Sequence, residues 1–177
     1  MPPRRNIELK ARLASIDAAR EIAQSVATEH LGTQTQVDTY FRCESGRLKL
    51  RQSNVAPAQL VSYRRPDISE AKASDYRLLD VDEPEQLLAM LHDNLGIECV
   101  VEKSREVFLY HNVRIHLDEV AGLGTFLEFE AVLDDSIDDA QGHAQVAKLT
   151  TEFQIAETDL VHHSYSDMVE RHSRPAR

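Results

Sequence analysis

Short segments in which charged and apolar residues alternate with period two recur along this chain, and that alternation restricts its fold more than any other feature. RLKLR (47–51), RIHLDEV (114–120) and TFLEFEAVL (125–133) are the clearest cases. Successive side chains of a strand point to opposite faces, so each segment is a strand with one apolar face and one charged face. Similar patterns over residues 4–13, 36–43, 46–52, 58–65, 72–81, 98–110 and 112–120 bring the number of predicted strands to eight. Glu44-Ser45-Gly46 and the AGLG turn (121–124) join neighbours as hairpins. Helical periodicity marks 15–30, with Ser15 as N-cap, Ile16, Ala19, Ile22, Ala23 and Val26 as its stripe, and Gly32 as its stop. A second helix runs from Pro84 to about Asn94 and a third over 138–153, and the tail through Met168 adds a short one. Strands in hairpin order with a few helices give an α+β fold on a mainly antiparallel sheet. Eight strands suffice to close a barrel, although periodicity does not say whether they do.

The chain has 177 residues, the length of one domain, and no linker divides it. Residues 1–177 are therefore read as one domain with 173–177 as a frayed tail. No apolar run approaches the ~20 residues that span a bilayer, so no membrane partner is expected and the cytoplasm is the expected compartment. A formal net charge of −10 argues against nucleic acid, which demands an excess of Lys and Arg. Cys43 and Cys99 are too few for a disulfide scaffold and are expected as buried free thiols. His162-His163 are expected on the surface, and Tyr40 in packing.

The charged strand faces run against that net charge. Glu8 and Lys10 share a face of the first strand, Lys49 and Arg51 of the third, and Lys103 and Arg105 of the sixth. Arg64 and Lys72 sit on the fourth and fifth. Arg114, His116 and Asp118 align on the seventh, and Glu128 and Glu130 on the eighth. Solvated faces of a half-buried sheet would also alternate in this way. Yet basic residues exceed acids on these faces, and the acids concentrate on the first, seventh and eighth strands. Segregation of this kind suits a polyanion held by Lys and Arg beside a hard cation held by carboxylates.

The ordered set of motifs resembles the CYTH superfamily of triphosphate tunnel enzymes. Asn6-Ile7-Glu8-Leu9-Lys10 is similar to the E-x-E-x-K strand of that family, with Asn6 in place of the first Glu. QVDTYF (36–41), LKLR (48–51), YRRP (63–66), EKSREVF (102–108), the run Arg114 to Glu130, and SYSD (164–167) follow in family order. The resemblance implies an eight-stranded antiparallel barrel with a polar tunnel and helices packed outside. It also implies Mg²⁺ or Mn²⁺ held by Glu8, Asp118, Glu128 and Glu130. A triphosphate would be bound by Lys10, Lys49, Arg51, Arg64, Lys72, Lys103, Arg105 and Arg114, with Lys10, Arg114 and Glu128 catalytic. ATP, tripolyphosphate and thiamine triphosphate are the expected substrates, and a homodimer is admitted. QVDTYF and the VAGLGTFLE turn resemble class IV adenylyl cyclases and tip the expected reaction to ATP cyclisation. A triphosphatase and a non-catalytic nucleotide or polyphosphate binder remain as alternatives, since Asn6 puts a second metal in question.

Overall fold

The computed structural model describes residues 4–64, 68 and 70–173. Eight strands close into an antiparallel barrel in the order β1-β5-β4-β3-β2-β6-β7-β8. They are β1 (Arg4–Arg12), β2 (Glu29–Phe41), β3 (Arg47–Ser53), β4 (Ala58–Arg64), β5 (Lys72–Val81), β6 (Ile97–Tyr110), β7 (Val113–Val120) and β8 (Gly124–Val132). β1 closes the ring by pairing with both β5 and β8, so that Glu8 lies opposite Lys72 on one side and Glu130 on the other.

The apolar core lies outside the barrel. Ile7 and Leu9 of β1, Ile115 and Leu117 of β7, and Leu127 and Phe129 of β8 all face outward and are buried. Helices α1 (Ile16–Val26) and α3 (Asp139–Glu152) cover them with Ala19, Ala23, Val146 and Leu149. The hydrophobic effect therefore fixes which strand face turns out, and the charged residues two positions apart are left inside. Ser15 caps α1 by accepting from the Ala18 N–H at 3.2 Å. Asp138 and Gln141 form a reciprocal capping box on α3. Gly142 lets α3 approach β1 closely: a Cβ there would stand 2.9 Å from Ile7 Cγ1 and 2.7 Å from Leu133 Cδ2. Helix α2 (Pro84–Leu95) lies against β2 and β3.

A second apolar cluster fills one end of the barrel. Tyr40, Val101, Val120 and Phe126 meet Val161, Tyr165 and Met168, the last two from α4 (Tyr165–Ser173). The returning chain is tied to β1, where the Val161 N–H donates to Lys10 O at 2.9 Å.

Two expectations need correction. The first helix ends at Val26, not near residue 30, and Gly32 lies within β2 at a bulge with φ +87°. Residues 27–35 carry no strong strand signal of their own; pairing with β6 along the whole of β2 claims them. Cys43 is exposed because it falls in the β2–β3 turn rather than in a strand, and Cys99 is half-buried, with its thiol directed at Ser166 O at 3.9 Å. His162 is exposed and His163 half-buried, in the loop before α4. Of the tail expected to fray, residues 174–177 lie outside the described residues, as do Arg65 and Pro66 of the YRRP motif.

Candidate active site in the barrel interior

The inward faces of β1, β3, β6, β7 and β8 enclose a cavity of about 350 Å³. Glu8 and Lys10 line it from β1, Lys49 and Arg51 from β3, and Lys103 and Arg105 from β6. Arg114, Glu128 and Glu130 complete the charged wall. The wall formed by β4 and β5 is different, being built of Val61, Tyr63, Ser74, Tyr76 and Leu78. A second cavity of about 340 Å³ adjoins the first, with Arg51, Gln59, Arg105, Arg114 and Glu130 lining both.

Two buried aspartates anchor the basic wall. Asp38 is fully buried and accepts from Lys49 Nζ at 2.8 Å, Lys103 Nζ at 2.8 Å, and Arg51 Nε and Nη2 at 2.8 and 3.0 Å. Burial alone would raise its pKa; Arg51, Lys103 and Lys49 outweigh it and hold the carboxyl well below the usual range. The ammonium groups feel the opposite pull. Desolvation pushes Lys103 down to about 8, and Asp38 only partly offsets it. Asp118, also fully buried, takes a bidentate pair from Arg105 at 2.6 Å and the Tyr165 hydroxyl at 2.7 Å. Against its own desolvation, Arg105 holds its pKa down at about 2.

Glu128 sits between the basic and acidic sides. Its Oε1 is 3.0 Å from Lys10 Nζ and its Oε2 2.8 Å from Arg105 Nη2. Lys10 and these neighbours overcome burial and keep it ionised, well below the ordinary glutamate range. Lys10 also lies 3.6 Å above the Tyr165 ring. Glu130 is more loosely engaged, with Arg114 Nη1 at 3.5 Å. Among the described residues, His116, Glu128 and Glu130 form the one group of His, Cys, Asp and Glu donors lying within 4.8 Å of one another. Four buried side-chain atoms of the described residues have no hydrogen-bond partner: Asn6 Oδ1, Gln36 Oε1, Tyr76 OH and His116 Nδ1. All four residues line the tunnel. Polar atoms buried without partners are costly, and their concentration in the tunnel marks it as a place built for a polar ligand.

Residues 4–165 match the CYTH domain. The chain belongs to the CYTH family. The CYTH chain is 20% identical over 173 residues to a Methanocaldococcus jannaschii protein named "Putative adenylate cyclase", covering 92% of this chain and 97% of that one. Its fold is that of a Pyrococcus horikoshii protein, with TM-score 0.81, 22% identity, and coverage of 92% of this chain and 98% of the other. A Hippeastrum protein whose structure is described as revealing a dominant triphosphatase activity is 18% identical, with TM-score 0.65 and 97% of both chains covered. CYTH enzymes are adenylyl cyclase-like or triphosphatases, work on phosphorus–oxygen bonds, and depend in general on metal.

The CYTH barrel gathers most of the predicted site residues and leaves three elsewhere. Arg64 does not face the tunnel: Val61 and Tyr63 turn inward on β4, so Arg64 turns outward and donates to Ser45 Oγ at 3.3 Å. Lys72 has the inward register, but its ammonium is directed at backbone carbonyls, Ile68 O and His162 O (3.1 Å to the latter), and it does not line the cavity. Asp118 stands behind Arg105 as that residue's anchor and is not in the donor group of Glu128 and Glu130.

Three further residues contribute to the site without a role that the sequence pattern assigns them. Asp38 shares a strand face with Tyr40 and lies opposite Arg51, and an acid at an inward position facing a basic strand is a readable signal. Likewise, His116 lay in plain view on the charged face of β7. Tyr165 reaches Asp118 and Lys10 from α4, across more than forty residues of chain, and no local pattern announces that contact.

Proposed function

We propose that this chain is a metal-dependent enzyme that converts ATP to cyclic AMP and pyrophosphate. The observation that carries this reading is the division of one cavity into a cationic wall on β1, β3 and β6 and a neutral, partly aromatic wall on β4 and β5. Cations alone suit any triphosphate. Val61, Tyr63, Tyr76 and Leu78 add a surface for an organic group, which inorganic tripolyphosphate lacks.

Lys49, Arg51, Lys103 and Arg105 bind and orient the phosphates. Lys10 and Arg114 lie beside the carboxylates, where charge develops as the phosphorus–oxygen bond breaks. Glu8, Glu128 and Glu130 would hold a divalent cation, and the donor set fits one, since Glu130 is only weakly paired and His116 Nδ1 beside it has no hydrogen bond. Such an ion supplies neutralisation of phosphate charge when bound. In the reaction, the 3′-hydroxyl oxygen forms a bond to the α-phosphorus, the bond to the β-phosphate oxygen breaks, pyrophosphate leaves, and the hydroxyl proton is released. Positioning and charge neutralisation dominate such transfers. That suits a site whose Glu128 and Glu130 carboxyls are held below the ordinary glutamate range, too acidic to be strong bases.

The second reading is triphosphate hydrolysis, favoured by the activity described for the Hippeastrum protein. Incubation with ATP, thiamine triphosphate and tripolyphosphate in Mg²⁺ or Mn²⁺, with products separated by chromatography, decides between them. Cyclic AMP with pyrophosphate supports the cyclase. Orthophosphate from tripolyphosphate or thiamine triphosphate without cyclic nucleotide establishes the hydrolase. Neither product under either metal leaves a binding module.

A further inference from the structure

His116 is the least explained residue of the tunnel. It is 4% exposed, so it is a buried side chain, and its Nδ1 has no hydrogen-bond partner. That nitrogen is 3.7 Å from Glu128 Oε2 and 3.9 Å from Glu130 Oε1. Both distances are too long for hydrogen bonds. An ion about 2.1 Å from each of two donors holds those donors between roughly 3 and 4.2 Å apart, depending on the angle between them. The two observed separations fall inside that span. Burying an imidazole against two carboxylates with no hydrogen bond to either wastes its strongest interaction unless something sits between them.

We propose that His116 Nδ1 is a metal ligand alongside Glu128 and Glu130, which makes the cation position a mixed nitrogen–oxygen site that takes Mn²⁺ in preference to Mg²⁺. Magnesium favours oxygen donors and water, whereas imidazole suits transition metals. Glu128 Oε2 already accepts from Arg105 at 2.8 Å, but a carboxylate oxygen has a second lone pair and can serve both. Arg105 in turn is held by Asp118, so it limits how far Glu128 can swing and keeps Oε2 on the His116 side. The inference rests on the metal-dependent reading of the tunnel and is independent of which bond the enzyme breaks.

Pulsed EPR on tag-free, full-length protein loaded with substoichiometric Mn²⁺, without nucleotide, tests the proposal directly. A directly coordinated imidazole imposes nitrogen modulation on the Mn²⁺ echo, and the wild-type protein is expected to show it. His116→Gln is expected to lose it and to weaken Mn²⁺ binding by tenfold or more in calorimetry, while Mg²⁺ binding changes less than threefold. Wild-type protein without nitrogen modulation, or without bound Mn²⁺, overturns the inference, and neither result depends on the variant folding. Equal loss of both metals in a His116→Gln protein with unchanged Tm also overturns it. Nitrogen-coordinated Mn²⁺ in a protein that turns over no triphosphate would remove the enzyme reading and leave this one standing. Turnover in Mn²⁺ without the nitrogen signal would do the reverse.

Discussion

Lys103 Nζ lies 2.8 Å from Asp38 Oδ2, and neither side chain is more than 1% exposed. Asp38 is the counter-charge for Lys103, Lys49 and Arg51 together, three cations aimed at the same cavity. A buried cation cluster without its anion is costly, so the carboxylate stabilises the barrel in the conformation that a polyanion needs. Asp38→Asn keeps the shape and removes the charge. We expect it to lower stability by about 3–5 kcal/mol, the range for breaking a buried ion pair. Added tripolyphosphate replaces the lost negative charge, so it should raise Tm more in the variant than in the wild type. Thermal melts with and without the anion check this, and an equal shift in both proteins would show that Asp38 and the anion do not act on the same cations.

The same pair sets a pH dependence. Desolvation leaves Lys103 titrating at about 8 in the free protein, below its ordinary 10.5, despite Asp38. A bound polyanion favours the ammonium and raises that pKa, so the complex holds more protons than the free protein above pH 8. Affinity for tripolyphosphate should therefore fall as pH rises through about 8, by up to roughly tenfold per unit for one proton. Calorimetry in buffers of different ionisation enthalpy should register proton uptake near pH 8. Lys103→Arg cannot titrate in this range and should flatten the profile; an unchanged profile would assign the proton to another group.

Much of this was legible in the sequence for one physical reason. Period-two alternation specifies two faces, and a chain that buries Ile115, Leu117, Leu127 and Phe129 has no freedom about where His116, Glu128 and Glu130 point. The alternation did not say which face would be enclosed, and the family resemblance supplied that. Sequence and structure part where a single-residue difference in parity or a long-range contact decides. Arg64 is one residue away from the inward position. Gly32 reads as a helix stop because it follows the stripe that runs to Val26, whereas Thr28 already bonds to Leu109 of β6 through both its N–H and its hydroxyl. Asp118 and Glu128 look alike in sequence; what separates them is that Arg105 and the Tyr165 hydroxyl enclose Asp118, whereas Glu128 lines the cavity.

The placement of Glu8 and Lys10 depends on a contact on the other side of β1. Ile7 packs beneath α3 at Gly142, where there is no room for a side chain. An alanine would gain up to about 1 kcal/mol in helix propensity. Against this, its Cβ would overlap Ile7 Cγ1 at 2.9 Å, on a β-branched side chain that is fully buried and cannot rotate away. Overpacking costs typically about 1–3 kcal/mol, so Gly142→Ala should be net destabilising by about 1 kcal/mol, and Gly142→Val by more. Denaturant melts measure this. A stabilised Gly142→Ala protein would mean that α3 sits farther from β1 than described.

Asn6 bears on the reaction itself. It lines the cavity on the face shared by Glu8 and Lys10, and its Oδ1 is buried without a partner. In the family's E-x-E-x-K strand this position carries a carboxylate. Cyclisation uses a hydroxyl already positioned by the bound nucleotide, so it has less need of a group that orients water. Hydrolysis must capture and orient a water molecule, and an acid next to Glu8 would assist in that. Asn6→Glu should therefore raise orthophosphate release from tripolyphosphate by about tenfold or more, within the usual contribution of one acid–base group, and leave cyclic AMP formation within a few-fold of wild type. Product ratios from parallel ATP and tripolyphosphate assays in Mg²⁺ and Mn²⁺ provide the check. If both activities rise together, Asn6 weakens metal binding common to the two reactions, and the cyclase reading loses the support it draws from this position.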